Sequence, residues 1–323
     1  MTEQTEDKDK TDKNIIFEMI QNFLKDPPVI IWGSGATIPL GMPSMDELNT
    51  IIKDRIPDFD KKNKNLEKEL GNEKYRKNLP AIRDLIHNTI KVKDNEILQQ
   101  IMNNDFHHDE IVEMIKKFRK PCPQILNLIS TNYDKTLEYV MAYSGIPFTD
   151  GFSGRTLSIY EEDAFKDKNF VNLIKVHGSI DWYDVNGEVR SIDCDCQYQP
   201  EMIIPGKNKY EESSKLPYRD LIQKSDQRIE EAKSFLVIGF GFNDEHLTPR
   251  IKSQTKKGVP IVVVTKKITS TTKEELKDAS RYIFVEQMDE KKTKITFKNI
   301  SHKEEAKILD GQYWQLANFL EVV

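Results

Sequence analysis

Short runs of consecutive apolar residues recur along this chain, each ending in a polar or glycine-bearing turn. They are Pro28-Val29-Ile30-Ile31-Trp32, Ile125-Leu126-Asn127-Leu128-Ile129, Val171-Asn172-Leu173-Ile174, Phe235-Leu236-Val237-Ile238, Ile261-Val262-Val263-Val264 and Tyr282-Ile283-Phe284-Val285. A run that is apolar at nearly every position has no solvated face. Each therefore reads as a strand covered on both sides, as in a parallel sheet. Helical spacing fills the intervals. Ile15, Ile16, Met19, Ile20, Phe23 and Leu24 recur three and four apart and predict a first amphipathic helix. Further helices are expected near 46–55, 73–90, 96–102, 109–118, 134–142, 216–232, 245–252 and 302–319. Ser44 is the candidate N-cap of the helix that begins at Pro43-Ser44-Met45-Asp46-Glu47-Leu48.

Alternating strands and helices predict an α/β fold with a Rossmann-like, mostly parallel sheet and helices on both faces. Residues 1–13 hold Thr, Glu, Asp and Lys with no apolar residue past Met1, so a mobile tail is expected there. Residues 14–323 then form one domain. About 46–120 the pattern is helical and charged without a convincing strand, which predicts an inserted helical cap module or a lateral helical layer. Residues 150–168 are rich in Gly, Ser, Asp and Lys and read as a loop over the site, and Trp182 to Pro205 as short β-like pieces.

Composition narrows the function. The 323 residues carry 48 basic and 53 acidic side chains, net −5, so no bulk attraction to nucleic acid is expected. No apolar stretch approaches the ~20 residues that cross a bilayer. The start Met1-Thr2-Glu3-Gln4 has no basic region followed by an apolar core, so a secretory signal is not expected and a cytoplasmic location is. Cys122, Cys194 and Cys196 are too few for a disulfide scaffold, and a structural zinc usually needs four ligands. Reduced thiols and no metal are expected.

Four strand ends carry the chemistry. Gly33-Ser34-Gly35-Ala36-Thr37, Thr131-Asn132-Tyr133-Asp134, Lys175-Val176-His177-Gly178-Ser179 and Ile238-Gly239-Phe240-Gly241-Phe242-Asn243-Asp244 each follow an apolar run. In open α/β sheets ligands bind outside the carboxyl ends of the strands. The segments are thus expected to converge on a crevice holding an Asn, an Asp and a His.

At these residues the chain resembles the sirtuin-like family, specifically its NAD-consuming branch in bacterial antiphage defence. Sirtuins carry Gly-Ala-Gly-x-Ser, Thr-Gln-Asn-x-Asp and a catalytic His-Gly pair. The counterparts are Gly33-Ser34-Gly35-Ala36-Thr37, Ser130-Thr131-Asn132-Tyr133-Asp134 and His177-Gly178-Ser179, and Gly41-Met42-Pro43 is similar to the family's Gly-Ile-Pro. The resemblance runs in scattered blocks from Val29 to Val264 and implies NAD as substrate. By it, Gly33, Ser34, Gly35, Ala36 and Thr37 form the phosphate loop, while Gly178, Gly239, Gly241 and Asn243 also contact the dinucleotide. Asn132 becomes the catalytic asparagine and His177 the base, since an imidazole can take up a proton from a ribose hydroxyl or water. Asp134 matches the aspartate that binds the nicotinamide carboxamide, or else caps the following helix. Asn243 and Asp244 cap a helix or touch ribose, His246 lies one turn further on, and Trp182 lines the pocket or packs the core. His87, His107, His108 and His302 fall on charged faces and are expected in solvent.

The chain also departs from the deacylase pattern. The sirtuin Pro-Asp-Phe-Arg becomes Pro43-Ser44-Met45-Asp46, and no zinc-binding cysteine pairs follow His177. Water is then the expected acceptor, and NAD glycohydrolysis the leading function. An NAD-dependent protein deacylase and a non-enzymatic NAD or ADP-ribose sensor are the alternatives. Destroying an essential cofactor implies control, so a homo-oligomer of four or more copies and a separately encoded sensor or ATPase/translocase partner are expected.

Overall fold

The computed structural model describes residues 3–62, 66–105, 108–119, 124–165, 169–204, 215–300 and 302–323. Along the chain, α1 (Glu3–Phe23) precedes β1 (Val29–Trp32) and two 3-10 turns, Ser34–Ala36 and Ile38–Leu40. Helices α2 (Met45–Arg55), α3 (Leu66–Leu70), α4 (Leu79–Met102) and α5 (Asp109–Phe118) lead to β2 (Leu126–Ser130) and α6 (Thr136–Tyr143). Strands β3 (Phe148–Thr149), β4 (Phe152–Gly154), β5 (Leu157–Tyr160), β6 (Val171–Lys175), β7 (Gly178–Val185), β8 (Glu188–Ile192) and β9 (Gln199–Met202) follow. The chain then runs through α7 (Tyr218–Glu230), β10 (Phe235–Ile238), α8 (Leu247–Lys256), β11 (Ile261–Thr265), α9 (Ser270–Leu276) and β12 (Tyr282–Gln287). It closes with β13 (Lys292–Asn299), β14 (His302–Asp310) and α10 (Leu316–Leu320). The fold is mixed α/β with a largely parallel sheet and helices around it.

Two compact units divide the chain. The first comprises residues 1–36, 107–128 and 226–323; the second comprises 37–106 and 129–225. In the first, the strand order is β14-β13-β12-β11-β10-β1, with β1, β10, β11 and β12 parallel and β13 and β14 antiparallel to their neighbours. Strands β1 and β10 are buried at every position, as an apolar run covered on both faces must be. Helix α1 buries Ile16, Ile20 and Phe23, and Leu24 just after it is buried too. Helix α10 packs on α5, and Lys117 Nζ donates to the Leu320 carbonyl at 2.8 Å. In the second unit β3 pairs parallel with β6, and a separate antiparallel sheet has the order β4-β5-β8-β7-β9. Helix α4 lies against α6, β7 and β9.

Several elements differ from the sequence expectation. Residues 302–319 were expected as a helix, since Glu, Ala, Lys and Leu favour one. Instead His302–Asp310 pairs antiparallel with β13, whose Thr293, Ile295 and Phe297 are buried at period two. Hairpin pairing outweighs helix propensity there, and the charged β14 is an edge strand. The two helices expected at 73–90 and 96–102 are one α-helix, Leu79–Met102, preceded by a 3-10 turn. Pro80 explains its start, because a residue without an N–H fits the first turn and not the interior. The stretch 150–168 contains the β4–β5 pair, whose alternation is masked by its glycines and serines; residues 166–168 lie outside the described ones. Helix α1 already starts at Glu3, within the stretch read as a tail. The 46–120 stretch does not stand alone: α2 to α4 fall in the second unit and α5 in the first.

One contact fixes the two glycine turns of the first unit. The Gly33 N–H donates to the Ile238 carbonyl at 2.9 Å, and the Gly35 N–H to the Gly239 carbonyl at 2.9 Å. A Cβ on Gly33 would sit 2.6 Å from the Gly239 oxygen, and one on Gly239 2.1 Å from the Ala36 nitrogen. Gly239 also has φ +63°, where side chains are strained. These glycines are required by backbone packing, before any ligand is considered. Gly241 differs, because a Cβ there meets only the Asn243 side-chain amide at 3.3 Å. Gly239→Ala and Gly33→Ala should therefore lower the melting temperature sharply or abolish soluble expression, whereas Gly241→Ala should melt within a few degrees of the parent. Thermal denaturation of the three variants checks this; a Gly239→Ala protein as stable as the parent contradicts the interlock.

Candidate active site

The turn after β2 carries the expected Asn and Asp, all within the second unit. The Asn132 N–H donates to Ser130 Oγ at 3.1 Å, and Asn132 Nδ2 donates to Thr37 Oγ1 at 3.1 Å. Thr37 Oγ1 in turn donates to Asp134 Oδ2 at 3.4 Å, while Asp134 Oδ1 accepts the Thr136 N–H at 3.2 Å. Thr37, Asn132 and Asp134 thus form one buried polar chain. Asp134 does cap the first turn of α6, and each carboxylate oxygen keeps a further lone pair for another donor.

The segment carrying His177 runs beside this turn. The Val176 N–H donates to the Ser130 carbonyl at 3.2 Å and the Ile180 N–H to the Tyr133 carbonyl at 3.0 Å. Asn132 and His177 therefore lie in the same interval between two backbone bonds. The Tyr133 and His177 rings stand 6.5 Å apart. Ile203 braces both sides: its N–H donates to the His177 carbonyl at 2.9 Å, and its carbonyl accepts from the Tyr133 hydroxyl at 2.6 Å. Asn132 is 6% and His177 7% exposed, so bulk water has little access to either.

Beneath these residues lies a set of buried charges. Lys175, 1% exposed as a side chain, pairs with Glu138, 8% exposed, at 2.7 Å. Its Nζ also donates to the Asp134 carbonyl at 2.7 Å and to Ser179 Oγ at 2.8 Å. Lys135 pairs with Asp181 at 3.2 Å. Asp94 of α4 accepts the Lys135 N–H at 2.7 Å and the Tyr139 hydroxyl at 2.6 Å, tying α4 to the start of α6. Lys175, Glu138, Ser179 and Asp94 had no assigned role in the sequence reading. A signal was there: a lysine closing an apolar strand and a glutamate inside Thr136-Leu137-Glu138-Tyr139-Val140 need buried partners.

Other expected site residues have protein surroundings of their own. Ser44 caps α2 in a reciprocal capping box with Glu47. The turn at residues 33–37 leads into 3-10 turns, and α2 begins only at Met45. Gly178 has φ +88°, and a Cβ there would meet the Tyr218 hydroxyl at 3.0 Å. Asp244 Oδ1 accepts the His246 and Leu247 N–H groups at 2.9 and 2.7 Å, so it caps α8. Trp182 is fully buried between Phe152 and Tyr218, a core position. His87, expected in solvent, is buried with Nε2 against the Ile180 carbonyl at 2.7 Å, and burial holds its pKa below the usual histidine value. His108, the residue just before α5, is buried as well. His107, the His302 side chain and Cys122 lie outside the described residues. Cys194 is exposed and Cys196 half-buried. Among the described residues no group of three or more His, Cys, Asp or Glu could hold a metal ion, and no helix is long and apolar enough to cross a membrane.

The buried carboxylates make stability depend on pH. Burial pushes the Glu138 carboxyl up to about 7 against the pull of Lys175, and pushes Asp94 up to about 6 against its two hydrogen-bond donors. Both folded values exceed the unfolded ones, so the folded chain binds more protons between them. Their stabilising contribution is complete below the ordinary carboxylate range and is lost as pH rises through about 6 and about 7. The melting temperature should fall across that window, and Glu138→Gln should flatten the slope. Melting curves at several pH values check this; an unchanged slope in Glu138→Gln contradicts it.

The family model of a SIR2-like domain matches residues 126–299, more than half of the chain. No curated protein matches it. Among solved structures, the crystal structure of a Sir2 homolog–NAD complex is 17% identical, with a TM-score of 0.43 over 79% of this chain and 82% of that one. A structure on the mechanism and regulation of Sir2 enzymes is 13% identical, with a TM-score of 0.42 over 82% of this chain and 94% of that one. One on sirtuin substrate affinity is 14% identical, with a TM-score of 0.44 over 78% and 88%. On the family match, the chain belongs to the SIR2-like family, a family of NAD-dependent enzymes.

Proposed function

We propose that this protein is an NAD glycohydrolase, which replaces nicotinamide by water to give nicotinamide and ADP-ribose. The observation that carries the reading is the buried chain Thr37–Asn132–Asp134 with His177 in the adjoining segment. Nicotinamide leaves from a cationic nitrogen, so departure needs no acid. What the residues must supply is position and a proton acceptor. His177 takes the proton of a ribose hydroxyl or of the attacking water. Asn132, oriented by its bond to Thr37, holds that hydroxyl or water through its amide. Asp134 binds the nicotinamide carboxamide with the lone pairs its helix-capping bond leaves over. The roles of Gly33, Ser34, Gly35, Ala36, Gly178, Gly239, Gly241 and Asn243 toward NAD belong to the same proposal and rest on the resemblance.

Water is favoured as acceptor by the lost Pro-Asp-Phe-Arg segment and by the absence of zinc-type cysteine pairs in the sequence. In the same reading the enzyme is a cytoplasmic NAD-depleting effector of antiphage defence, held in check by homo-oligomerisation and a separately encoded partner.

Nicotinamide release by purified protein tests the assignment. His177→Ala and Asn132→Ala should each keep the circular-dichroism spectrum and lose about 10²–10⁴-fold in rate. A folded His177→Ala protein that keeps parental turnover removes His177 as the base. Release that depends on added acetyl-lysine peptide points to a deacylase instead.

A further inference from the structure

We infer that Lys175 is a positioning residue that holds the Asn132 turn against the His177 segment; this rests on the reading of those two residues given above. Its ammonium has three donors and three close acceptors, each from a different part of the second unit. The Asp134 carbonyl at 2.7 Å belongs to the turn that carries Asn132. Glu138 Oε1 at 2.7 Å belongs to α6, which that turn starts. Ser179 Oγ at 2.8 Å lies in β7, directly after His177 and Gly178. The Tyr133 carbonyl stands further off at 3.4 Å and also accepts from Ser179 Oγ at 3.3 Å. Lys175 itself ends β6, two residues before His177.

A surface lysine would lose this geometry to water. At 1% side-chain exposure the ammonium has no water to turn to, so each donor is committed to one protein acceptor. Moving the Asn132 turn away from the His177 segment would strand part of a buried charge. The penalty converts a flexible side chain into a rigid staple. Its position explains why a costly buried ion is kept at the end of an otherwise apolar strand, where a methionine would satisfy the core equally well. The Lys175 ammonium bonds to the Asp134 carbonyl, Glu138 and Ser179, so its effect on the reaction passes through the segments that carry Asn132 and His177.

The test separates position from stability. The double variant Lys175→Met/Glu138→Leu removes both charges at similar volume, a replacement that buried ion pairs often tolerate. It should fold, keep its KM for NAD, and lose about 10²-fold in kcat, the scale expected for a small misplacement of reacting groups. In histidine-labelled protein the His177 imidazole resonances should shift and broaden. Glu138→Gln, which leaves the ammonium on the Asp134 carbonyl and Ser179, should show a far smaller loss. A folded double variant with parental kcat and unmoved His177 resonances overturns the inference, as does a fall in melting temperature alone. If the double variant does not fold, Ser179→Ala serves: it cuts the tie on the His177 side, and parental kcat with an unmoved His177 signal overturns the inference equally. Should the parent release no nicotinamide at all, the proposed function fails, while the resonance shift still decides whether Lys175 positions His177.

Discussion

A buried ammonium sets the terms for the polar half of the second unit. Lys175 cannot leave its acceptors without exposing an unsolvated charge, and those acceptors belong to the turn of Asn132, to α6 and to β7. Around it the remaining charges pair off, Lys135 with Asp181 and Asp94 with the backbone of Lys135 and the hydroxyl of Tyr139. Every partner comes from the same short stretch of chain or from elements packed on it. The catalytic candidates are thus held by electrostatics that tolerate little displacement.

The first unit is organised by a steric constraint of a different kind. Its two glycine turns meet backbone to backbone, at separations that no Cβ would allow. Glycines that in sequence suggest an approach to phosphate are already needed for packing. The loop is pinned because the Gly33 and Gly35 N–H groups donate to the Ile238 and Gly239 carbonyls of the facing turn. Ser34 is exposed in that loop, whereas Gly33 beside it is buried.

Strand positions were legible because full burial leaves a local mark: Phe235–Ile238 and Val29–Trp32 are apolar at every position. Helix α5 was legible for the same reason, its apolar face being complete within Asp109–Phe118. What escaped depends on partners distant in sequence. The segment His302–Asp310 has the composition of a helix and becomes a strand only because β13 is next to it. His87 looks like one polar residue on a charged helix until the carbonyl of Ile180 is seen against it. Asn132, Asp134 and His177 stand out in sequence by motif spacing, and their two segments lie side by side in the fold. Glu138 and Lys175 could not be joined, because nothing in their spacing says that one ammonium spans three segments.

The proposed reaction of this SIR2-like chain delivers the ADP-ribosyl group to water. Its most direct test is to run the purified protein on NAD in heavy-oxygen water, without any acylated peptide, and weigh the ADP-ribose. One solvent oxygen is expected on the ribose that carried nicotinamide. NAD that stays intact until an acyl-lysine peptide is added, with the acyl group then found on the ribose, would contradict it.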